Sequence, residues 1–461
     1  MDYGWISLLP LVIALLLAFI IKDVFIALLS GVISSGLILS YYGDEVFKGL
    51  NSIADVFLDG WAVRSILFCL MIGAFVHIIE VSGGVRGLLI LLTEERKLVT
   101  SKRRAELLAY LIGLLLFIEA TSSTVISGIS AKPFFDKYGV SREKLAYITD
   151  STSSPIAWLF PLNAAGAFLM AMIGTQISAG TIGGDPFSYV VKSIPFQLYS
   201  IFAIALVGVT IVTGKDLKVM ETHSKSNLKD VETLPDKEKN IKEPRARNMI
   251  LPTVVLVGSI FGNLYITGEG AISSGDGAGA VFNGIIITLI LTGFYYAIQG
   301  VVKPKRYIEW CIEGMSNFLQ ITIILVLAFS LSNLLSQLGL GFYMAEISHN
   351  MNPVFLPVLV FLVGSLTSFA TGTSGGTAAI LLPIAIPMAV NLGVDIHLII
   401  GAVISSAVFG DHCSPISDST ILASMISEVP VMNHVKTQMP YSLISGGVSA
   451  VGFLILGLLY Q

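Results

Sequence analysis

The chain has 461 residues, of which 54% are hydrophobic and 13% charged, about half the charged fraction of a soluble protein. So few charges cannot clothe the surface of a soluble chain this long, and the net charge of −4 adds no basic stripe for nucleic acid. Cys69, Cys311 and Cys413 lie far apart with no CxxC spacing, which argues against a disulfide framework or a zinc site.

Apolar runs of about the length that spans a bilayer recur along the chain. The first, 5–21, lacks a basic start and a small-residue cleavage site, so it reads as a retained membrane helix. Further clean runs occupy 24–41, 62–80, 192–213, 249–266, 281–299, 321–337 and 440–460. Short amphipathic stretches at 44–60 and 306–320 precede two of them. Two regions, 105–175 and 354–427, are apolar but broken by Ser, Thr, Gly, Pro and Asp. Backbone leaves the helix at membrane depth only where protein or a water-filled cavity satisfies it, and matched breaks in two halves point to a transporter site.

The first broken region is predicted to hold a re-entrant hairpin, 105–137, with its tip at Thr121, Ser122, Ser123 and Thr124, and then a discontinuous helix, 144–175, interrupted at Asp150–Pro155. The second holds a hairpin, 354–392, with its tip at Thr371–Thr377, and a discontinuous helix, 396–427, interrupted at Gly410–Pro415. Residues 1–213 and 249–461 thus form two inverted repeats joined by a 214–248 linker. The linker holds nine Lys or Arg, which places it in the cytoplasm by the positive-inside rule. About ten crossings with both termini outside leave only Lys48, Arg64 and Lys192 of the 27 basic residues at the outer face. The expected fold is an all-α polytopic protein of the cell membrane, surrounded by lipid.

Hydroxyls and unwound carbonyls at such tips suit a hard cation, and half-helix N-termini suit an anionic group. An acid inside a membrane segment is a functional candidate by default. Asp150, Asp411 and Asp418 are the acids in the breaks, with Asp411 as the main coupling carboxylate and Asp150 as its pseudo-symmetric partner. The expected sodium ligands are Asp150, Asp411 and Ser414. Ser151, Thr152, Ser153, Thr373, Ser374 and Thr377 complete the candidate ion- and substrate-binding set. Glu119 and His412 are weaker candidates for carrying a proton. His77 and Glu80 share a crossing, where solvation near its inner end is their ordinary role. No cofactor is called for, because sodium and protons are cargo. A nucleotide-binding loop is missing, which argues against a primary pump.

The segment Phe409-Gly-Asp-His-Cys-Ser-Pro-Ile-Ser-Asp-Ser-Thr-Ile-Leu422 resembles the signature of the NhaC-type sodium/proton antiporter family, and Thr371–Pro383 resembles that family's second hairpin tip. The likeness is sharp over 368–424. It implies the ion-transporter superfamily fold and an elevator-like homodimer. It also implies secondary antiport of sodium for protons, with an organic solute open as further cargo. Sodium-coupled carriage of an amino acid or carboxylate is the alternative, and an intramembrane enzyme using Asp150 and Asp411 is a remote one. The first half departs from the pattern: Ala157-Trp158 stands in the place of Ser417-Asp418, and Trp158 reads either as a pocket wall or as a packing residue.

Overall fold

The computed structural model describes residues 3–21, 23–43, 45–90, 99–117, 120–223, 245–270, 277–340, 343 and 352–459. Among these, every regular element is a helix. The first half contains α1 (Leu9–Ile21), α2 (Val24–Tyr41), α3 (Lys48–Asp55), α4 (Gly60–Val81), α5 (Gly84–Ile90), α6 (Lys102–Leu115), α7 (Ala120–Tyr138), α8 (Arg142–Leu159), α9 (Ala164–Ser178), α10 (Pro186–Ser193) and α11 (Leu198–Thr213). A short α12 (Lys218–His223) follows. The second half contains α13 (Arg247–Thr267), α14 (Gly277–Ile298), α15 (Pro304–Asn317), α16 (Leu319–Gln337), α17 (Leu356–Thr371), α18 (Ser374–Leu392), α19 (Ile396–Cys413), α20 (Asp418–Ser427) and α21 (Val431–Leu459). Seven helices are long and apolar enough to cross a membrane singly, and three bent pairs bring the number to ten. Large apolar side chains such as Ile266, Phe294 and Ile298 stand exposed on the outside, as a lipid-facing surface requires.

The two hairpins and their discontinuous helices superpose in sequence without a gap, at an offset of 254 residues. α6 and α17 start at 102 and 356, and α7 (120–138) matches α18 (374–392) residue for residue. Gly139 and Gly393 follow them with left-handed backbone, at φ +64° and +70°. Ser141 and Asp395 then cap α8 (142–159) and α19 (396–413), each accepting a backbone N–H of the first turn. Between the hairpins the described residues hold five apolar elements, α8–α9, α10–α11, α13, α14 and α15–α16. With each read as one crossing, the odd number sets the hairpins on opposite faces.

Packing between the halves is reciprocal. Amphipathic α15 lies on α4 of the other half, and amphipathic α3 lies on α16. Gly73 and Gly314 let the first pair approach: a Cβ on Gly314 would sit 2.5 Å from the Gly73 carbonyl oxygen. The second pair is joined by Ser52 and Ser330, whose hydroxyls are 2.5 Å apart. In the same way α7 packs on α20, and α18 packs on α9.

The structure corrects the expected tips and breaks. The first tip lies upstream of Thr121–Thr124, which form the first turns of α7. The second is narrower than Thr371–Thr377. It consists of Gly372 at φ +66° and Thr373, which caps α18 by accepting the N–H of Gly376. A Cβ at Gly372 would lie 2.8 Å from the Ile416 carbonyl oxygen, so the tip rests directly on the second break.

Asp150–Pro155 is not a break. It lies inside continuous α8, with the Thr149 and Thr152 hydroxyls bonded back to the Leu145 and Ile148 carbonyls. The first break is Phe160–Asn163 and the second is Ser414–Ser417. Phe160 and Ser414 are extended because Pro161 and Pro415 follow them. Two residues after each of these prolines, Asn163 or Ser417 caps a new helix. Pro155 has Ala157 at that position, so nothing starts a new helix and α8 runs on. Asp411 therefore corresponds to Ala157 across the repeats, not to Asp150, and Asp418 corresponds to Ala164.

Candidate functional site

The helix ends that flank both tips and both breaks border one cavity of about 510 Å³. Ala120, Ala164, Ser374 and Asp418 line it, and each is the first residue of its helix. Four helix N-termini, each with a partial positive charge, thus meet at one place. Trp158, Asn163 and Asp411 add to this lining, as do Gly73, His77, Glu80 and Phe318. Neither Lys nor Arg occurs among the described lining residues.

The tips are tied to the breaks by side chains. Asn163 Nδ2 donates to the carbonyls of Phe117, at 2.6 Å, and Ala157, at 2.7 Å, joining the first tip to the first break. Ser414 Oγ donates to the Phe369 carbonyl at 2.8 Å and does the same for the second. Trp158 Nε1 donates to Ser374 Oγ at 3.2 Å, so α8 of the first half holds the tip of the second. The Trp158 ring is a cavity wall, packed edge-on against Phe168.

Asp411 stands in the last turn of α19, 2% exposed, and its Oδ1 has no hydrogen-bond partner in the protein. A helix C-terminus is the negative end of the dipole, so carboxylate and backbone both favour a cation here. Asp418 lines the same cavity from the start of α20, its Oδ1 accepting the Ser419 N–H. Asp411 and Asp418, with oxygen-rich surroundings and neither Lys nor Arg among the described lining residues, match the demands of a hard cation. Among the described residues, no three His, Cys, Asp or Glu gather as a transition metal would need.

Asp150 is absent from the described cavity lining and lies in a buried polar cluster. Its Oδ2 accepts from Gln438 Nε2 at 2.7 Å and from Thr420 Oγ1 at 3.4 Å, and lies 3.2 Å from His434 Nε2. His412 Nε2 lies 4.0 Å from Asp150 Oδ1, and His412 Nδ1 lies 3.1 Å from the Tyr199 hydroxyl. Gln438 also donates to the His412 carbonyl at 3.0 Å. Adjacent residues of one helical turn thus serve two places, Asp411 the cavity and His412 the Asp150 cluster.

The sequence profile of the Na+/H+ antiporter family matches residues 145–458, which include both breaks, the second hairpin and the Asp150 cluster. The chain belongs to the Na+/H+ antiporter family. An uncharacterized protein of Haemophilus influenzae is 31% identical over 99% of this chain and 91% of its own length. The malate-2H(+)/Na(+)-lactate antiporter of Bacillus subtilis is 35% identical over 38% of each chain. The solved structure of MtrF from Neisseria gonorrhoeae, described as one of a class of antimetabolite efflux pumps, superposes with a TM-score of 0.64 at 15% identity, covering 94% of each chain. That likeness shows a shared fold.

Of the antiporter's expected site residues, Trp158, Thr373, Ser374, Asp411 and Asp418 line the cavity. Most of the other described ones hold the helices together. Ser123 Oγ lies 3.0 Å from both the Gly113 carbonyl and Ser153 Oγ, and Ser151 Oγ donates to Gln438 Oε1 at 3.5 Å. Thr124, Thr152, Thr371 and Thr377 bond back to carbonyls one turn earlier. Glu119 lies outside the described residues, as do the side chains of Thr121 and Ser122 and residues 224–244 of the linker. Sequence reasoning missed His434 and Gln438, an i,i+4 polar pair just before Pro440 that was legible as a buried stripe. It also missed Asn163, whose signal is the Pro-x-Asn spacing that matches Pro415-x-Ser417. His77 and Glu80, read as solvated, are cavity residues.

Proposed function

We propose that this antiporter exchanges sodium for protons on the Asp411 carboxylate, with Asp418 as a second oxygen donor in the same cavity. The observation that carries this reading is a buried acid with a free oxygen in a cavity with neither Lys nor Arg among its described wall residues. An uncompensated buried carboxylate is expensive. Its loaded forms, with sodium or with a proton, are the ones able to move between the two faces, and this couples the two fluxes. The Asp150 cluster, one residue away along α19, contributes another buried carboxyl group whose neighbours are His412 and His434. No cofactor enters this cycle.

A second reading has its own support. The cavity falls in the size range of small-molecule pockets and is far larger than one ion needs. Four helix N-termini would hold a carboxylate, beside the Trp158 ring. Coupled movement of a small organic acid is therefore the alternative cargo. Purified protein in proteoliposomes, with imposed sodium and pH gradients, decides between them. Sodium flux without solute supports simple exchange, and flux seen only with an added organic acid replaces it.

In the cell membrane we place the 214–248 linker in the cytoplasm and 267–280 outside, with 1–213 and 249–461 as the two repeat units. The family resemblance supports a homodimer. Single cysteines in each loop, treated with an impermeant thiol reagent on intact cells, test the orientation. External labelling of 214–248 would reverse it.

A further inference from the structure

A second cavity, of about 310 Å³, lies at the opposite ends of three helices that already border the first. α9 gives Ala164, Ala165 and Phe168 to the central cavity and Gln176 to the second. α16 gives Gln320 and Ile324 to the first, and Ser332 and Ser336 to the second. α18 gives Ser374–Gly376 to the first, and Pro383 and Pro387 to the second. The three helices pack against one another pairwise. Seven or eight residues separate the two sets on each helix, about 10–12 Å at the α-helical rise. Over that interval the helices carry buried apolar residues, among them Met172, Ile173, Phe329 and Ile380. Gln176 and Ser332, 3% and 4% exposed, stand at the boundary, with Gln176 Nε2 donating to Ser332 Oγ at 3.0 Å.

The inverted repeat gives this arrangement its meaning. The counterparts of α9, α16 and α18 are α20, α4 and α7. Those three border the central cavity at Asp418 and Ser419, at His77 and Glu80, and at Ala120 and Val125. On α4 the lining runs on to Glu80, in the last turn of the helix, so the cavity extends toward the face where α4 ends. Its symmetry mate, along α9, α16 and α18, is packed shut between the two cavities.

We propose that cargo passes between the central cavity and the opposite face along α9, α16 and α18, through the second cavity, and that the Gln176–Ser332 hydrogen bond closes this route. The route rests on the orientation proposed above, in which the second cavity faces outward, and is independent of the identity of the cargo. The test uses full-length protein in cells and an impermeant, cationic thiol reagent applied outside. The wild-type chain, whose Cys69, Cys311 and Cys413 are buried, gives the background. Ser336→Cys is expected to label from outside at rest. Ser332→Cys is expected to label slowly at rest, faster under opposed sodium and proton gradients, and to lose exchange once labelled. With the reporter moved to Ile380→Cys, buried between the two cavities, Gln176→Leu removes the hydrogen bond to Ser332 and raises the resting labelling rate roughly two- to tenfold. Labelling of Ser332→Cys from the linker side alone would overturn the route, as would exchange at the wild-type rate after complete labelling. A wild-type protein with no sodium flux but this same labelling pattern would sink the sodium reading and leave the route standing.

Discussion

The two repeats share a backbone plan residue for residue across their hairpins and breaks, yet they bring different chemistry to the cavity they enclose. The second presents Asp411, His412 and Asp418. The first presents, at the same positions, Ala157, Trp158 and Ala164. Inverted symmetry builds the paired half-helices and the two routes related by it, but it does not require a symmetric site. At these paired positions the second half supplies the acids Asp411 and Asp418, while the first half supplies the Trp158 ring, with His77 and Glu80 reaching the cavity from α4.

The sharpest way to break this comparison is Asp411→Asn, which keeps the shape and removes the exchangeable charge. Sodium-dependent flux is expected to fall by at least about 100-fold while the protein still folds, a loss of the size seen when one member of a buried charge pair is removed. Wild-type sodium dependence in this variant would take Asp411 out of the mechanism. Asp150→Asn is expected to cost less, about tenfold in flux or a change in ion dependence. It removes charge-assisted hydrogen bonds from Gln438 and Thr420 outside the cavity.

Ala157→Asp sharpens the comparison by restoring symmetry. Protons compete with sodium for Asp411, so wild-type transport falls as pH drops. A further carboxylate in the same cavity favours a bound proton over an empty site, so the falling limb should move up by about one pH unit. A pH–flux profile checks it, and an unmoved limb would mean that position 157 does not sense Asp411. Trp158→Phe keeps the ring and loses the bond to Ser374 Oγ. A rise of roughly two- to fivefold in the half-saturating cargo concentration is expected from one hydrogen bond, read by flux titration.

The helix-breaking residues made the plan of the fold readable, but not the position of each break. Pro155 and Pro415 look alike in Ser-Ser-Pro-Ile and Cys-Ser-Pro-Ile, and the likeness misassigned Asp150 as the partner of Asp411. What separates them is a capping side chain two residues on, which Pro415 has in Ser417 and Pro155 lacks. The hairpin hydroxyls were read as ligands because composition cannot say where a hydroxyl bonds. Most of them bond back into their own helices or to a neighbouring helix.

The sequence by itself determined that this chain spans a membrane many times and that it repeats. It also located its acids in the two broken regions, because apolar length, proline and buried charge are local properties with large energies. Only the tertiary structure decided which acids face the cavity. Asp411 and His412 are neighbours in one turn, but their side chains leave α19 in different directions. The helices packed there, α8, α20 and α21 and the two arms of the second hairpin, make one a cavity wall and the other a member of the Asp150 cluster.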